Sequence, residues 1–286
     1  MIRTWTVRGR VVALDRPIVM GIINVTPDSF SDAGLALSLE HAMAQAARLV
    51  AEGADILDIG GESTRPGAQP VSEAEELRRI LPIVRAIREA YPETLMSVDT
   101  VKSGVADAAV REGVHIVNDV SGMRLDERMA SICARHGVGV VLMHSRGGVA
   151  DMATYAHAEF DGDVLDVVLG DLRERVDHAM ASGIQREHIV IDPGIGFGKR
   201  SAHSLRVLGG VARLVDTGFP VVIGASRKRF IGEITSAQVP SARVFGSVGA
   251  AVAAYDRGAA IFRVHDVAAT RQALDVAAAI RSMGSV

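Results

Sequence analysis

The chain has 286 residues, 48% hydrophobic and 23% charged, with a formal net charge of −3 and a mean hydropathy of +0.23. That length and apolar share suffice for one large core. The slight acidity argues against nucleic acid or an anionic membrane as partner, so any anionic ligand must meet a local cluster of cations. Cys133 is the only cysteine, which excludes an intrachain disulfide and a cysteine-based metal site. Its place in the amphipathic stretch 129–135 predicts a buried small hydrophobe.

The first ten residues, MIRTWTVRGR, interleave charges with apolar side chains and lack a secretory h-region. No uncharged apolar run reaches the ~18 residues of a membrane helix, and cytoplasm is the expected compartment. Residues 4–14 read as a hairpin or short strand pair, part of an N-terminal segment (1–16) covering one end of the core. The remainder, 17–286, repeats one unit within a single domain: an apolar β-rich run, a polar or glycine-containing turn, then a helix. Strands are expected at 18–25, 56–60, 94–99, 115–118, 139–144, 189–192, 220–225 and 260–265. Helices are expected at 37–52, 72–90, 102–112, 128–136, 162–182, 202–217, within 242–257, and at 268–283. Ser72 with Glu75 has the capping-box pattern, and Gly53, Gly113, Gly137, Gly183, Gly218 and Gly258 stand where helices end. Continuous Val/Ile-rich strands are buried on both faces, which implies parallel pairing under a helical layer. Eight such units point to a closed (β/α)₈ TIM barrel, with an open doubly wound sheet as the alternative.

A barrel assembles its site from the loops after its strands, so polar residues at strand ends carry the functional reading. They are Asn24, Asp58, Asp99, Asn118, His144, Asp192, Ser226 and His265. In IVIDPGIGFGK (189–199) a strand delivers Asp192, Pro193 stops the ladder, and Gly194, Gly196 and Gly198 admit close backbone approach. The spacing fits neither a P-loop nor a dinucleotide fingerprint, and an ordinary strand-to-helix turn is the plain alternative. Asp99, Asn118 and Asp192 supply oxygens for paired N–H donors, as on the N–C–N edge of a 2-amino-pyrimidinone ring, and Lys228 is the donor for that ring's carbonyl. Asp99 has a second reading, as a cap for the helix that follows it. Arg65, Arg263 and His265 are cations or donors suited to a phosphate or diphosphate, although Arg65 alone also reads as a solvated loop arginine. Asn24 begins NVTPDSFSD (24–32), a loop suited to Mg²⁺ and to a lid that includes Phe30. His144 has no partner legible in the sequence and reads as structural. There is no Gly-x-Ser-x-Gly elbow and no His-Glu-x-x-His.

Together the motifs NVTPDSFSD (24–32), DIGGESTRPG (58–67), SVDT (97–100), Asn118-Asp119, Met143-His144, DPGIGFGK (192–199), Ser226-Arg-Lys228 and RVHDV (263–267) stand in one order. They resemble dihydropteroate synthase over nearly the whole chain from about Ile18. The resemblance implies condensation of 6-hydroxymethyl-7,8-dihydropterin diphosphate with 4-aminobenzoate, giving 7,8-dihydropteroate and diphosphate without a covalent nucleophile. By it, Asp99, Asn118, Asp192, Phe197, Gly224 and Lys228 hold the pterin. Asn24 with Mg²⁺, Thr64, Arg65, Arg263 and His265 hold the diphosphate, and Phe30, Thr64, Pro66 and Ser226 shape the 4-aminobenzoate pocket. Asp99, Lys228, Arg263 and His265 would carry the catalysis. Family members are sulfonamide targets and usually homodimers through the last helices; the Ala-rich face of 246–254 equally suits packing against the barrel. The chain departs from the family at 145–152 and 202–204. The rival readings are a methyltetrahydrofolate-type pterin-binding methyltransferase and an inactive pterin-binding paralogue.

Overall fold

In the computed structural model the described residues are 4–25, 35–63 and 69–284. The chain opens on an antiparallel pair, β1 (Thr4–Val7) and β2 (Arg10–Ala13), turned through Arg8 (φ +49°) and Gly9 (φ +77°). Two successive positive φ values give the turn a twist that matches the strands it joins.

The main body then alternates. In order it comprises β3 (Ile18–Asn24), α1 (Leu35–Ala51), β4 (Ile56–Gly60), α2 (Glu73–Ala90), β5 (Leu95–Asp99), α3 (Ser103–Arg111), β6 (Ile116–Asp119), α4 (Met129–His136), β7 (Gly139–Met143) and α5 (Val164–Ala181). There follow β8 (Ile189–Asp192), α6 (Ser201–Gly209), α7 (Val211–Val215), β9 (Val222–Ile223), α8 (Arg229–Thr235), α9 (Val244–Asp256), β10 (Ile261–Val264) and α10 (Val267–Met283). The sheet order is β8-β7-β6-β5-β4-β3-β10-β9, every pair parallel. A parallel bridge between Ile191 and Val221, with the Ile191 amide donating to Pro220 O at 3.0 Å, joins the two edges. The sheet is a closed barrel, and the open-sheet alternative falls. No helix among the described residues is long and apolar enough to cross a membrane.

Three local expectations are corrected. The helix expected at 202–217 is broken into α6 and α7 at Gly210, where a Cβ would stand 2.2 Å from Leu165 Cδ2: α5 presses on the backbone at that point. The turn after Lys228 winds into α8, which was not expected. Ser72 Oγ does accept from the Glu75 amide at 3.3 Å, but the Glu75 carboxylate turns to Arg78 and Arg79 rather than back to Ser72, so only half of the box forms.

Period-two alternation divides the barrel lumen into two levels. At the amino-terminal level Ile18, Met20, Ile56, Ile116, Val141, Val190, Val222 and Ile261 pack with Trp5 and Val7. The hairpin thus plugs that end, and the Trp5 indole donates to His188 O at 2.8 Å. Gly139 is required beneath it, because a Cβ there would lie 2.5 Å from Val7 and 2.9 Å from Trp5. Two residues further along, the same inward face becomes polar: Ile56 gives way to Asp58, Ile116 to Asn118, Val190 to Asp192, and Ile261 to Arg263. Cys133 is buried as expected, and burial pushes its thiol up.

Candidate active site

Arg263 is the hub of the polar level. Its Nε donates to Asp58 Oδ2 and its Nη2 to Asp99 Oδ2, each at 2.6 Å, while the Asn118 amide donates to Asp58 Oδ2 at 3.2 Å. Asp99 and Asn118 are lateral neighbours on β5 and β6. From β8, Asp192 accepts the Gly194 amide on Oδ1 at 2.7 Å, and Gly224 stands opposite its Oδ2, which would lie 3.8 Å from a Cβ on that glycine. Lys228 Nζ lies 4.1 Å from the centre of the Phe197 ring, a cation–π distance.

Burial sets the protonation balance here. It lifts Asp99 to about 7, because Arg263, shared with Asp58, cannot neutralise two buried carboxylates. Burial also lifts Asp192 to about 6, opposed by the Gly194 amide and by Lys228. Lys228 is pushed down to about 8 by burial and by Arg263, against the pull of Asp192 and Asp99. Burial likewise opposes the charge on Arg263, but Asp58 and Asp99 outweigh it and hold the guanidinium above its usual value. Asp99, Asp192, Lys228 and Arg263 therefore share one electrostatic neighbourhood.

His265 is a neutral donor. Its backbone amide donates to Ser226 Oγ at 3.2 Å, and that hydroxyl lies 3.0 Å from Nδ1. Burial, with Arg263 and Arg227 behind it, pushes the imidazole down to about 3, so the ring is neutral and one of its nitrogens carries an N–H. Ser226 is buried and engaged with this ring. Asn24 ends β3 at the same rim, half-buried. Phe30, Thr64, Arg65 and Pro66 lie outside the described residues.

Asp99 does not cap α3: Asp126 Oδ2 takes the Ser103 amide at 2.9 Å, and Asp99 faces the lumen. Asp58, read as a strand end, stands two residues before the end of β4, and its role as partner of Arg263 and Asn118 was missed. The signal available was the spacing Ile56-Leu57-Asp58, which puts a carboxylate on the same inward face as a core isoleucine. Lys199 was also missed. It is buried at 2% exposure and contacts His144, the residue that had no partner in sequence.

A family described as "Pterin binding enzyme" matches residues 20–265. The dihydropteroate synthase of Bacillus subtilis is 42% identical over 253 residues, 88% of this chain and 85% of that one. The Xanthomonas albilineans enzyme solved with 4-aminobenzoic acid superposes with a TM-score of 0.90 at 46% identity, covering 98% of each chain. A second structure of that enzyme holds 7,8-dihydropteroate (TM-score 0.86, 42% identity, 97% of this chain and 98% of that one). A Mycobacterium tuberculosis protein named inactive dihydropteroate synthase 2 is 38% identical over 97% of this chain and 87% of its own length. With a polar barrel mouth of this composition, a family match across most of the chain and relatives near 40% identity, the chain belongs to the pterin binding enzymes, among the dihydropteroate synthases.

Proposed function

We propose that this chain condenses 6-hydroxymethyl-7,8-dihydropterin diphosphate with 4-aminobenzoate to 7,8-dihydropteroate and diphosphate. The observation that carries the reading is the Asp58–Arg263–Asp99 bridge at the barrel mouth, with Asn118, Asp192 and Lys228 around it. Asp192 and Asn118 present oxygens to the ring's N–H edge, and Lys228 presents N–H to its carbonyl. Gly224 leaves room beside Asp192, and Phe197 lines the pocket under Lys228. As the methylene C–O bond breaks, positive charge develops on the pterin and negative charge on the diphosphate. The buried carboxylates favour the first; Arg263 and the N–H of His265, joined in this reading by Thr64 and Arg65, favour the second. The arylamine of 4-aminobenzoate, held by Phe30, Thr64, Pro66 and Ser226, then forms the C–N bond and releases a proton.

Mg²⁺ belongs to this reading. Among the described residues no group of three or more His, Cys, Asp or Glu side chains is placed to hold a metal. Asn24, one amide oxygen at the rim, fits an ion that takes few protein ligands and completes its shell with diphosphate oxygens and water. When bound, Mg²⁺ supplies charge neutralisation for the leaving diphosphate.

The test is pteroate formation by the purified protein from both substrates, with and without Mg²⁺. Mg²⁺-dependent product is expected, with turnover lowered ~10²-fold or more by Asp99→Asn or Lys228→Ala, the scale of losing one preorganised electrostatic partner. Undiminished turnover in either variant contradicts the assignment. Pterin binding without product would make the chain a counterpart of its inactive relatives.

The reading includes a homodimer through the last helices. A groove of about 340 Å³ between α6, α8 and α9 is lined by apolar side chains including Leu205, Phe230, Ile231 and Ile234, and Phe245 beside it is 90% exposed. The exposed Phe245 beside this apolar groove is the surface on which that contact is proposed.

A further inference from the structure

We propose that Lys199 is a positioning residue for the pterin pocket: its buried ammonium ties the 193–198 loop to His144 and so fixes the Phe197 ring beneath Lys228. The proposal rests on the dihydropteroate synthase reading and adds a residue to it.

Lysine is almost never fully buried unless its charge is matched. Lys199 Nζ lies 2.8 Å from His144 Nδ1, 3.0 Å from Gly194 O and 3.1 Å from Phe197 O. Burial pushes this group well below its usual value, against the pull of Asp192. Three acceptors at these distances nevertheless match an ammonium, because a neutral amine has two N–H groups to give. Two of the acceptors are carbonyls of the loop itself. The third, His144, belongs to the loop that follows β7, so the lysine joins the two loops.

His144 is prepared for that role from its other side. Its Nε2 lies 3.0 Å from Asp171 Oδ2 on α5, which fixes the proton on Nε2 and leaves the Nδ1 lone pair for Lys199. Burial and the charge of Lys199 push the imidazole down to about 3, and the ring stays neutral. Arg175, also on α5, donates to the carbonyls of Met143 and Ser145 on either side of it. The loop backbone docks on the same residue: Gly194 has φ +65°, and a Cβ there would fall 1.9 Å from His144 O.

What this loop carries bears on the site. Phe197 packs against Val101, Val120, Met143 and Met152 and presents its ring to Lys228 Nζ. Gly196 lies so close that a Cβ would stand 3.1 Å from Lys228 Cδ. Removing the Lys199 ammonium takes this donor from Phe197 O and His144 Nδ1 and leaves Gly194 O with the Phe197 amide alone, at 3.1 Å. The loop then loses the bond that sets Phe197, and through it Lys228, while Lys199 itself touches no substrate.

The experiment compares wild type, Lys199→Met and Asp171→Ala. It reads 6-hydroxymethylpterin binding by calorimetry and the two KM values by steady-state assay, with folding checked by circular dichroism. Lys199→Met should raise the pterin Kd and the KM for pterin diphosphate by on the order of 10- to 100-fold, the scale of misplacing a substrate-positioning group by about 1 Å, with the KM for 4-aminobenzoate unchanged. Asp171, whose side chain is 32% exposed, can be truncated with little packing loss and should shift the same two constants in the same direction by less. A merely structural lysine would lower the melting temperature and leave both KM values alone. Folded Lys199→Met that binds pterin like wild type overturns the proposal. If Lys199→Met does not fold, an unchanged Kd in Asp171→Ala overturns it. Wild type that binds no pterin would instead overturn the functional reading, which separates the two failures.

Discussion

Under the proposed function, Asp192 and Lys228 have to be in opposite protonation states for the pterin ring to bind, and burial has drawn their pKa values towards each other. Asp192 accepts ring N–H groups only as a carboxylate, so the competent fraction grows as pH rises through about 6. Lys228 donates to the carbonyl as an ammonium, so the fraction shrinks as pH rises through about 8. With Asp99 also required as a carboxylate and lifted to about 7, kcat/KM for pterin diphosphate, which reports the free enzyme, should be bell-shaped, with an acid limb at about 6 to 7 and an alkaline limb near 8. Lys228→Arg should abolish the alkaline limb, because arginine keeps its charge, even where turnover falls. A pH–rate profile measures both, and an alkaline limb retained in that variant would remove Lys228 from the role. At this scale the sequence was most legible where a polar residue ends an apolar strand, as at Asp99, Asn118 and Asp192. It was least legible where a side chain finds its partner across the fold. Nothing local pairs Lys199 with His144, which lie 55 positions apart, or Asp58 with Arg263, 205 apart.

Among the elements, helices that close on glycine were readable because each break places a left-handed residue just ahead of an apolar strand; Gly53, Gly113 and Gly258 have φ of +89°, +112° and +97°. The division of α6 from α7 was not, since it depends on Leu165 of a different helix pressing on Gly210. The sequence of α9 is apolar around most of its circumference and left two uses open, packing on the barrel or pairing with a second copy. The structure shows Ala251 and Ala254 buried, which is the packing use, and leaves Phe245 exposed for the proposed second use. Under the homodimer proposal, Phe245→Glu should convert a dimer into a monomer in sedimentation velocity, since a charge forced into an apolar interface loses its hydration. Wild type sedimenting as a monomer, or a variant that stays dimeric, would place the contact elsewhere or dismiss it.

For the molecule as a whole, the barrel was legible in the eightfold recurrence of its unit, and its closure was settled by the contact between Ile191 and Val221. Plugging one end with Trp5 and Val7 leaves the lumen apolar on that side and reserves the opposite mouth for polar groups. This division of one continuous face, rather than any single motif, gathers carboxylates, an amide and two cations at one mouth of the barrel. The most direct test is a crystal structure of the protein with 6-hydroxymethylpterin bound. The expected pose puts the ring's N–C–N edge on Asp192 and Asn118, its carbonyl towards Lys228, and its methylene directed at Arg263 and His265. A ring seated away from Asp192 and Lys228, or reversed so that its amino edge meets Arg263, would contradict it.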